Sequence, residues 1–238
     1  MSEYYVLVLI ISIALVAFLV RNPRVESFHS GKRRVHTTIY RHGHRCYMDG
    51  LSMEELAIVR TLATNLSHKD YFIFNNIIVP SPYLGTTQID HIIVSRFGIF
   101  VIESKRYNGW IFANTHRQQW TQTLPGGKKY QFHNPLFQNH AHVVALKEHM
   151  PFAGDRFFNL VVFSGACEFK TPMPSNVIHA TELVDFIKSK HSIKLKEVEL
   201  LVIIGKLSML CQTVDVTAEE HAQNVESYLA TKTSLTKA

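Results

Sequence analysis

Two apolar runs separated by a four-residue turn restrict the folds open to this 238-residue chain more than any other segment. Gln88-Ile89-Asp90-His91-Ile92-Ile93-Val94 and Ile99-Phe100-Val101-Ile102-Glu103-Ser104-Lys105 are dominated by β-branched and aromatic residues and read as buried strands. Ser95-Arg96-Phe97-Gly98 joins them as a hairpin connection ending in the residue that best tolerates a left-handed backbone. If Val94 faces Ile99, the ladder sets Asp90 opposite Glu103; a two-residue shift sets it opposite Lys105. Side chains alternate along a strand, so Glu103 and Lys105 share a face and Ser104 points off it. Two carboxylates and an ammonium converging on one patch of sheet are costly to bury unless they pair or hold a metal.

The chemistry suited to this set is metal-assisted phosphodiester cleavage. Hard oxygen donors on neighbouring strands suit Mg²⁺ or Mn²⁺, which keep several waters and take remaining ligands from phosphate. Asp90 and Glu103 would hold the ion, and Lys105 would orient water or stabilise developing charge. The competing reading is a Glu103–Lys105 salt bridge at the solvated end of an edge strand, because the spacing alone is a short pattern.

Residues 52–66 predict a helix, with Ser52 and Glu55 in capping-box positions and Ile58, Val59, Leu62 and Leu66 as an apolar stripe. Glu55 lies on that stripe and either closes the cap or points toward the acids; Glu54 sits off it and is expected to face solvent. A second helix starts at Asn134 as N-cap with Pro135 in the first position and runs over residues 136–150. Gln138 and His142 share one of its faces, beside Asn134, and either brace the carboxylates and contact substrate phosphates or form a solvated surface. His116, His133, His140, His142 and His149 cluster in sequence but lack the spacing of a zinc motif. His91 lies on the strand face opposite Asp90 and is expected to pack rather than ligate.

The quoted strands extend into a wider resemblance. Gln88-Ile89-Asp90-His91, Gly98 through Lys105, Gly109, Trp120, Asn134-Pro135-Leu136 with Gln138 and Asn139, and Val161-Val162-Phe163-Ser164-Gly165 resemble the NERD (nuclease-related domain) family of the PD-(D/E)XK nuclease-like superfamily. The similarity covers residues 48–190. It departs from the family at Ser104, where a threonine-like residue is usual, and at residues 50–55, where the opening Gly-Glu pair is blurred. The resemblance implies a mixed central sheet flanked by helices and a metal-dependent nuclease. It assigns catalysis to Asp90, Glu103 and Lys105, metal binding to Asp90 and Glu103, and support to Glu55 and Gln88, with Glu55 tuning the charge at the metal. Asn134, Gln138 and His142 complete the candidate set.

Residues 4–20 form an uncharged apolar run of roughly 26 Å as a helix, near the lower limit for a bilayer span. Glu3 precedes it and no small-residue cleavage site follows, which disfavours a signal peptide. Arg21, Arg24, Lys32, Arg33 and Arg34 follow, so the positive-inside bias predicts an external N-terminus and a cytoplasmic bulk at the cytoplasmic membrane. The basic connector over residues 21–47 is expected to meet anionic lipid headgroups or to help hold nucleic acid. Net charge is +6 and the pI near 9.2, which suits a polyanionic partner, and the resemblance implies that this is DNA ahead of RNA. Cys46, Cys167 and Cys211 are too few and too scattered for a disulfide framework.

The expected organisation is therefore a tail (1–3), a span (4–20), a linker (21–47), a nuclease-like domain (48–190) and a helical extension packed on it (191–238). Within these, residues 157–163 and a segment around Val177 predict strands, and residues 181–190 a helix. Residues 195–207 fit a helix, although 200–204 fit a strand equally well, and 217–229 predict a helix. The alternative function is a nucleic-acid tether that does not cut, or a structural adaptor at the membrane.

Overall fold

The computed structural model describes residues 39–41, 44–46, 51–82 and 85–213. The chain divides into two units, Met1–Asp49 and Gly50–Ala238. In the first, β1 (Ile39–Arg41) and β2 (His44–Cys46) pair antiparallel. The expected span at 4–20, most of the linker and the helix expected over 217–229 lie outside the described residues. Among those described, no helix is long and apolar enough to cross a membrane.

The second unit runs α1 (Met53–Asn65), β3 (Tyr71–Ser81), β4 (Gly85–Ser95), β5 (Gly98–Arg106), β6 (Gly109–Phe112), β7 (Gln119–Thr123), β8 (Lys129–His133), α2 (Pro135–His149), β9 (Phe157–Ser164), β10 (Cys167–Phe169), β11 (Val177–His179), α3 (Leu183–Ser189) and α4 (Glu197–Thr213). It is a mixed α/β unit whose main sheet has the order β11-β9-β5-β4-β3, parallel from β11 to β5 and antiparallel from β5 to β3. Helices cover both faces, so the central strands β4, β5 and β9 are buried on both sides and apolar throughout their cores. On one face α2 and α4 pack Val143, Leu146, Ile203 and Leu207 against Ile92, Val94, Ile99 and Val101. On the other, α1 and α3 pack Ile58, Leu62, Leu183 and Ile187 against Ile93, Phe100 and Ile102.

The hairpin register is Val94 opposite Ile99 and Ser95 opposite Gly98, the first of the two alternatives above. Gly98 has φ 140°, and a Cβ there would meet the Phe158 ring at 2.6 Å and the Arg156 carbonyl at 2.9 Å, so no other residue fits the turn.

A second, four-stranded sheet of order β10-β6-β7-β8 leaves the carboxyl ends of β5 and β9. The sequence reading did not anticipate it, nor β3. Its inner face buries Ile111 and Trp120 against Val161, Phe163 and Val177. Because β6 to β8 lie between β5 and α2 in the chain, this sheet joins the strand that carries Lys105 to the helix that carries Gln138 and His142.

Residues 197–213 form a helix, which resolves the ambiguity at 200–204. Ile203 and Leu207 lie one turn apart and are fully buried, with Ile204 nearly so, while Leu201 and Val202 are left exposed. The helix over residues 181–190 is shorter than expected, because a 3-10 turn at Ala180–Glu182 precedes α3.

Candidate active site

Glu103 stands on the α2 face of β5, two residues beyond Val101, and is only 2% exposed. Both of its oxygens are occupied. Lys105 Nζ lies 2.5 Å from Oε1, and His142 Nε2 donates to Oε2 at 3.1 Å. With Nε2 as donor, the other ring nitrogen, Nδ1, accepts the Thr87 hydroxyl at 2.8 Å, which satisfies a fully enclosed imidazole. Burial alone would raise the Glu103 carboxyl, but the hydrogen bond from His142 and the charge and hydrogen bond of Lys105 outweigh it and hold the group below its ordinary value. Lys105 also donates to Gln138 Oε1 at 3.0 Å, so α2 braces both members of the pair.

Asp90 is placed by an interruption in the sheet. The β4–β5 ladder ends at His91 opposite Ile102, one step before Asp90 would meet Glu103. On the other side, the β3–β4 pairing passes over Asn76, the residue in register with Asp90, which adopts φ 53°. A non-glycine residue in the left-handed region within a strand rotates the chain, and such positions collect at functional sites. Both strands change face here. Ile92 and Val94 pack toward α2 and α4, and so does Ile89, although simple alternation would send it to the opposite side; on β3 the same happens between Phe74 and Ile77.

Freed from the ladder, the Asp90 carboxylate turns to Ser104, accepting its backbone N–H and its hydroxyl on Oδ2, each at 2.8 Å. Ser104 does point off the Glu103 face as expected, but its hydroxyl holds the other acid, which corrects the expectation that it lies away from the site. Oδ1 accepts no hydrogen bond among the described residues. Burial, and then the neighbouring Glu103 charge, push the Asp90 carboxyl up to about 6; the Ser104 bonds oppose this and Glu55 adds to it.

The remaining candidates divide. Glu55 closes the cap, its carboxylate accepting the Ser52 N–H at 2.6 Å while its own N–H donates to the Ser52 hydroxyl, and its charge also reaches Asp90. The hydrogen bonds carry the capping reading of that residue. Glu54, expected to face solvent, pairs instead with Arg106 and ties α1 to the end of β5. Gln88 donates to Asn76 Oδ1 at 2.6 Å and supports the strand distortion rather than the acids directly. Asn134 caps α2 through the Leu136 N–H and donates to the Arg117 and Thr115 carbonyls; its amide is committed to the loop before β7 and is not brought to the acids. His91 is enclosed on the opposite face, bonded to Asn75, and burial pushes it down to about 4.

Thr87 and Asn139 were not singled out for the site from sequence. Asn139 is fully buried and donates to the Val101 and Leu160 carbonyls, which locks α2 to β5 and β9. Its position one residue from Gln138 and three before His142 was the available signal. Among the described residues no group of three or more His, Cys, Asp or Glu side chains could hold a metal. The donor set that is present is two hard carboxylates, one with an oxygen that accepts no hydrogen bond among the described residues and an acidity weakened by burial and then by the other. That fits a cation which takes few protein ligands, such as Mg²⁺ or Mn²⁺.

An uncharacterized protein of Bacillus anthracis is 39% identical over 90 residues, a match that spans 38% of this chain and 42% of that protein. The crystal structure of AF1548, a protein of unknown function, overlays 74% of this chain and 94% of that one at 12% identity; its TM-score of 0.29 is too low to carry an argument. Residues 52–164, which contain the acidic pair, Lys105 and the helix that braces them, match the model of the NERD family, described as a nuclease-related domain.

Proposed function

We propose that this chain is a metal-dependent nuclease with a PD-(D/E)XK-like core, hydrolysing phosphodiester bonds of DNA and, as second choice, RNA. The observation that carries this reading is the convergence of Asp90, Glu103 and Lys105 at a break in the sheet, with Asp90 Oδ1 left without a hydrogen bond among the described residues. Asp90 and Glu103 would hold Mg²⁺ or Mn²⁺, and Glu55 would add charge behind them. A bound ion of this kind supplies Lewis-acid polarisation of the phosphate and a more acidic water. Ser104 holds Oδ2 of Asp90, so Oδ1 is the oxygen that would meet an ion. His142, itself held by Thr87, fixes Oε2 of Glu103, which would leave Oε1, paired with Lys105, to share with a bound ion. Lys105, anchored by Gln138 and 22% exposed, is free to donate to a phosphate oxygen or to the attacking water.

Residues 4–20 are proposed to cross the cytoplasmic membrane once with the N-terminus outside, and the basic linker to lie against anionic headgroups. The uncharged run and the arginines and lysines after it support this.

The test is cleavage of supercoiled, linear and single-stranded DNA and of RNA by the full chain in detergent, with Mg²⁺, Mn²⁺ or EDTA. Cutting should require metal and fall by about 10²–10⁴-fold in Lys105→Ala, with Asp90→Ala at least as impaired. Intact substrate under every condition, from folded protein, would transfer the reading to a tether that binds without cutting.

A further inference from the structure

From Ser104 to Lys147 the chain contains no Asp or Glu but six Lys and Arg, although it holds 19 acids in all. This acid-free stretch includes the whole of β6, β7 and β8. On the inner face of their sheet Ile111 and Trp120 are core, while Tyr130 on the same face is exposed. On the outer face the register aligns Trp110 with Thr123 and then Lys129, and Phe112 with Thr121 and then Gln131. Trp110 is 49% and Phe112 38% exposed, whereas Trp120 on the inner face is 1% exposed. The single acid in the four strands is Glu168 on β10, and Lys170 neutralises it while lying 4.9 Å from the centre of the Trp110 ring.

Two neighbouring aromatic rings left open among lysines match a partner that is flat and apolar on its faces and negatively charged along its length. Unpaired nucleotides have that chemistry, and a duplex hides the base faces. We propose that the outer face of the β10-β6-β7-β8 sheet is a stacking platform for single-stranded nucleic acid, with bases on Trp110 and Phe112 and phosphate on Lys129. Trp110 is five residues beyond Lys105, at most about 17 Å along an extended chain, so a strand seated there lies within a few nucleotides of the acids. The proposal rests on the nuclease reading and names its substrate as single-stranded or locally unpaired.

The test uses the full chain carrying Asp90→Asn, in EDTA, so that nothing is cut. It is titrated with an oligothymidylate of about 12 nucleotides and with the same strand in duplex form, following anisotropy and tryptophan emission. Trp120 is enclosed, so a change in emission on binding reports Trp110. The single strand should quench emission, Trp110→Ala should bind it about 5–50-fold more weakly and lose the quench, and Trp110→Phe should stay within about 3-fold of the parent. Lys129→Gln should weaken binding and flatten its salt dependence by about one ion. Duplex affinity should be alike in parent and tryptophan variants. Equal single-strand affinity in parent and Trp110→Ala overturns the platform. So does an emission shift on phosphatidylglycerol vesicles without any quench by the oligonucleotide, which would make this a lipid-facing surface. In the metal-loaded chain with Asp90 restored, undiminished single-strand cutting by Trp110→Ala overturns the platform and leaves the nuclease; quench-positive binding by a chain that never cuts leaves the platform and removes the nuclease.

Discussion

Asp90 sits where folding and chemistry want different things. Its ordinary value near 3.8 is pushed up to about 6 by burial and by Glu103, so the folded chain holds more protons than the unfolded one between those values. Stability therefore falls as pH rises through that window, and the loss is complete above about 6. A shift of this size corresponds to about 3 kcal/mol. Asp90→Asn should accordingly stabilise the metal-free protein at pH 7.5 by about 1–3 kcal/mol in urea unfolding, with the gain vanishing near pH 4, while cleavage is lost. His91 works in the opposite sense. Lowered to about 4, it loses stability as pH falls below about 6.5, so the difference between wild type and Asp90→Asn, not the wild-type curve, isolates the carboxylate. An unchanged difference across pH would remove the explanation. Asp90, Glu103 and Lys105 were legible because charges are conspicuous inside β-branched runs. The role of Ser104 was not, since alternation assigns a face but not the reach of a carboxylate released from its ladder.

At the scale of the element, α1 and α2 each support the sheet and carry candidate site residues. Glu55→Gln keeps an oxygen for the Ser52 N–H and should change stability by less than about 0.5 kcal/mol, yet it removes a charge near Asp90 and should weaken Mn²⁺ binding several-fold in titration calorimetry. Glu55→Ala should add a cap loss of about 1 kcal/mol. If the two variants bind metal as wild type does, Glu55 is a cap alone. In α2, Asn139→Ala would strip the bonds to the Val101 and Leu160 carbonyls and leave a hole between helix and sheet; about 2–4 kcal/mol of destabilisation is expected from thermal unfolding. Both helix starts were readable from local chemistry, a capping box in one and Asn-Pro in the other. Which face of α2 met the acids was not, because periodicity defines a stripe without saying what lies against it.

For the whole molecule, α4 is part of the core. Leu195, Ile203, Ile204 and Leu207 are buried with β3, β4 and α2, and at about 1.5–3 kcal/mol each their removal would take roughly 6–12 kcal/mol, comparable to the total stability of a domain. A fragment ending at residue 190 should therefore be unfolded by circular dichroism and rapidly proteolysed, while one continuing through α4 folds; a protected, cooperative 48–190 fragment would contradict this. The sequence alone determined the hairpin, its acids and lysine, the helix starts and the acid-free stretch, because these depend on residue type, spacing and turn chemistry within a few positions. Tertiary structure alone decided the second sheet, the helical state of 197–213, the left-handed Asn76 that swings Asp90 out of its ladder, and the Thr87–His142–Glu103 chain. Each of these depends on groups distant in sequence competing for the same space and the same hydrogen bonds, and no local pattern records the outcome of that competition.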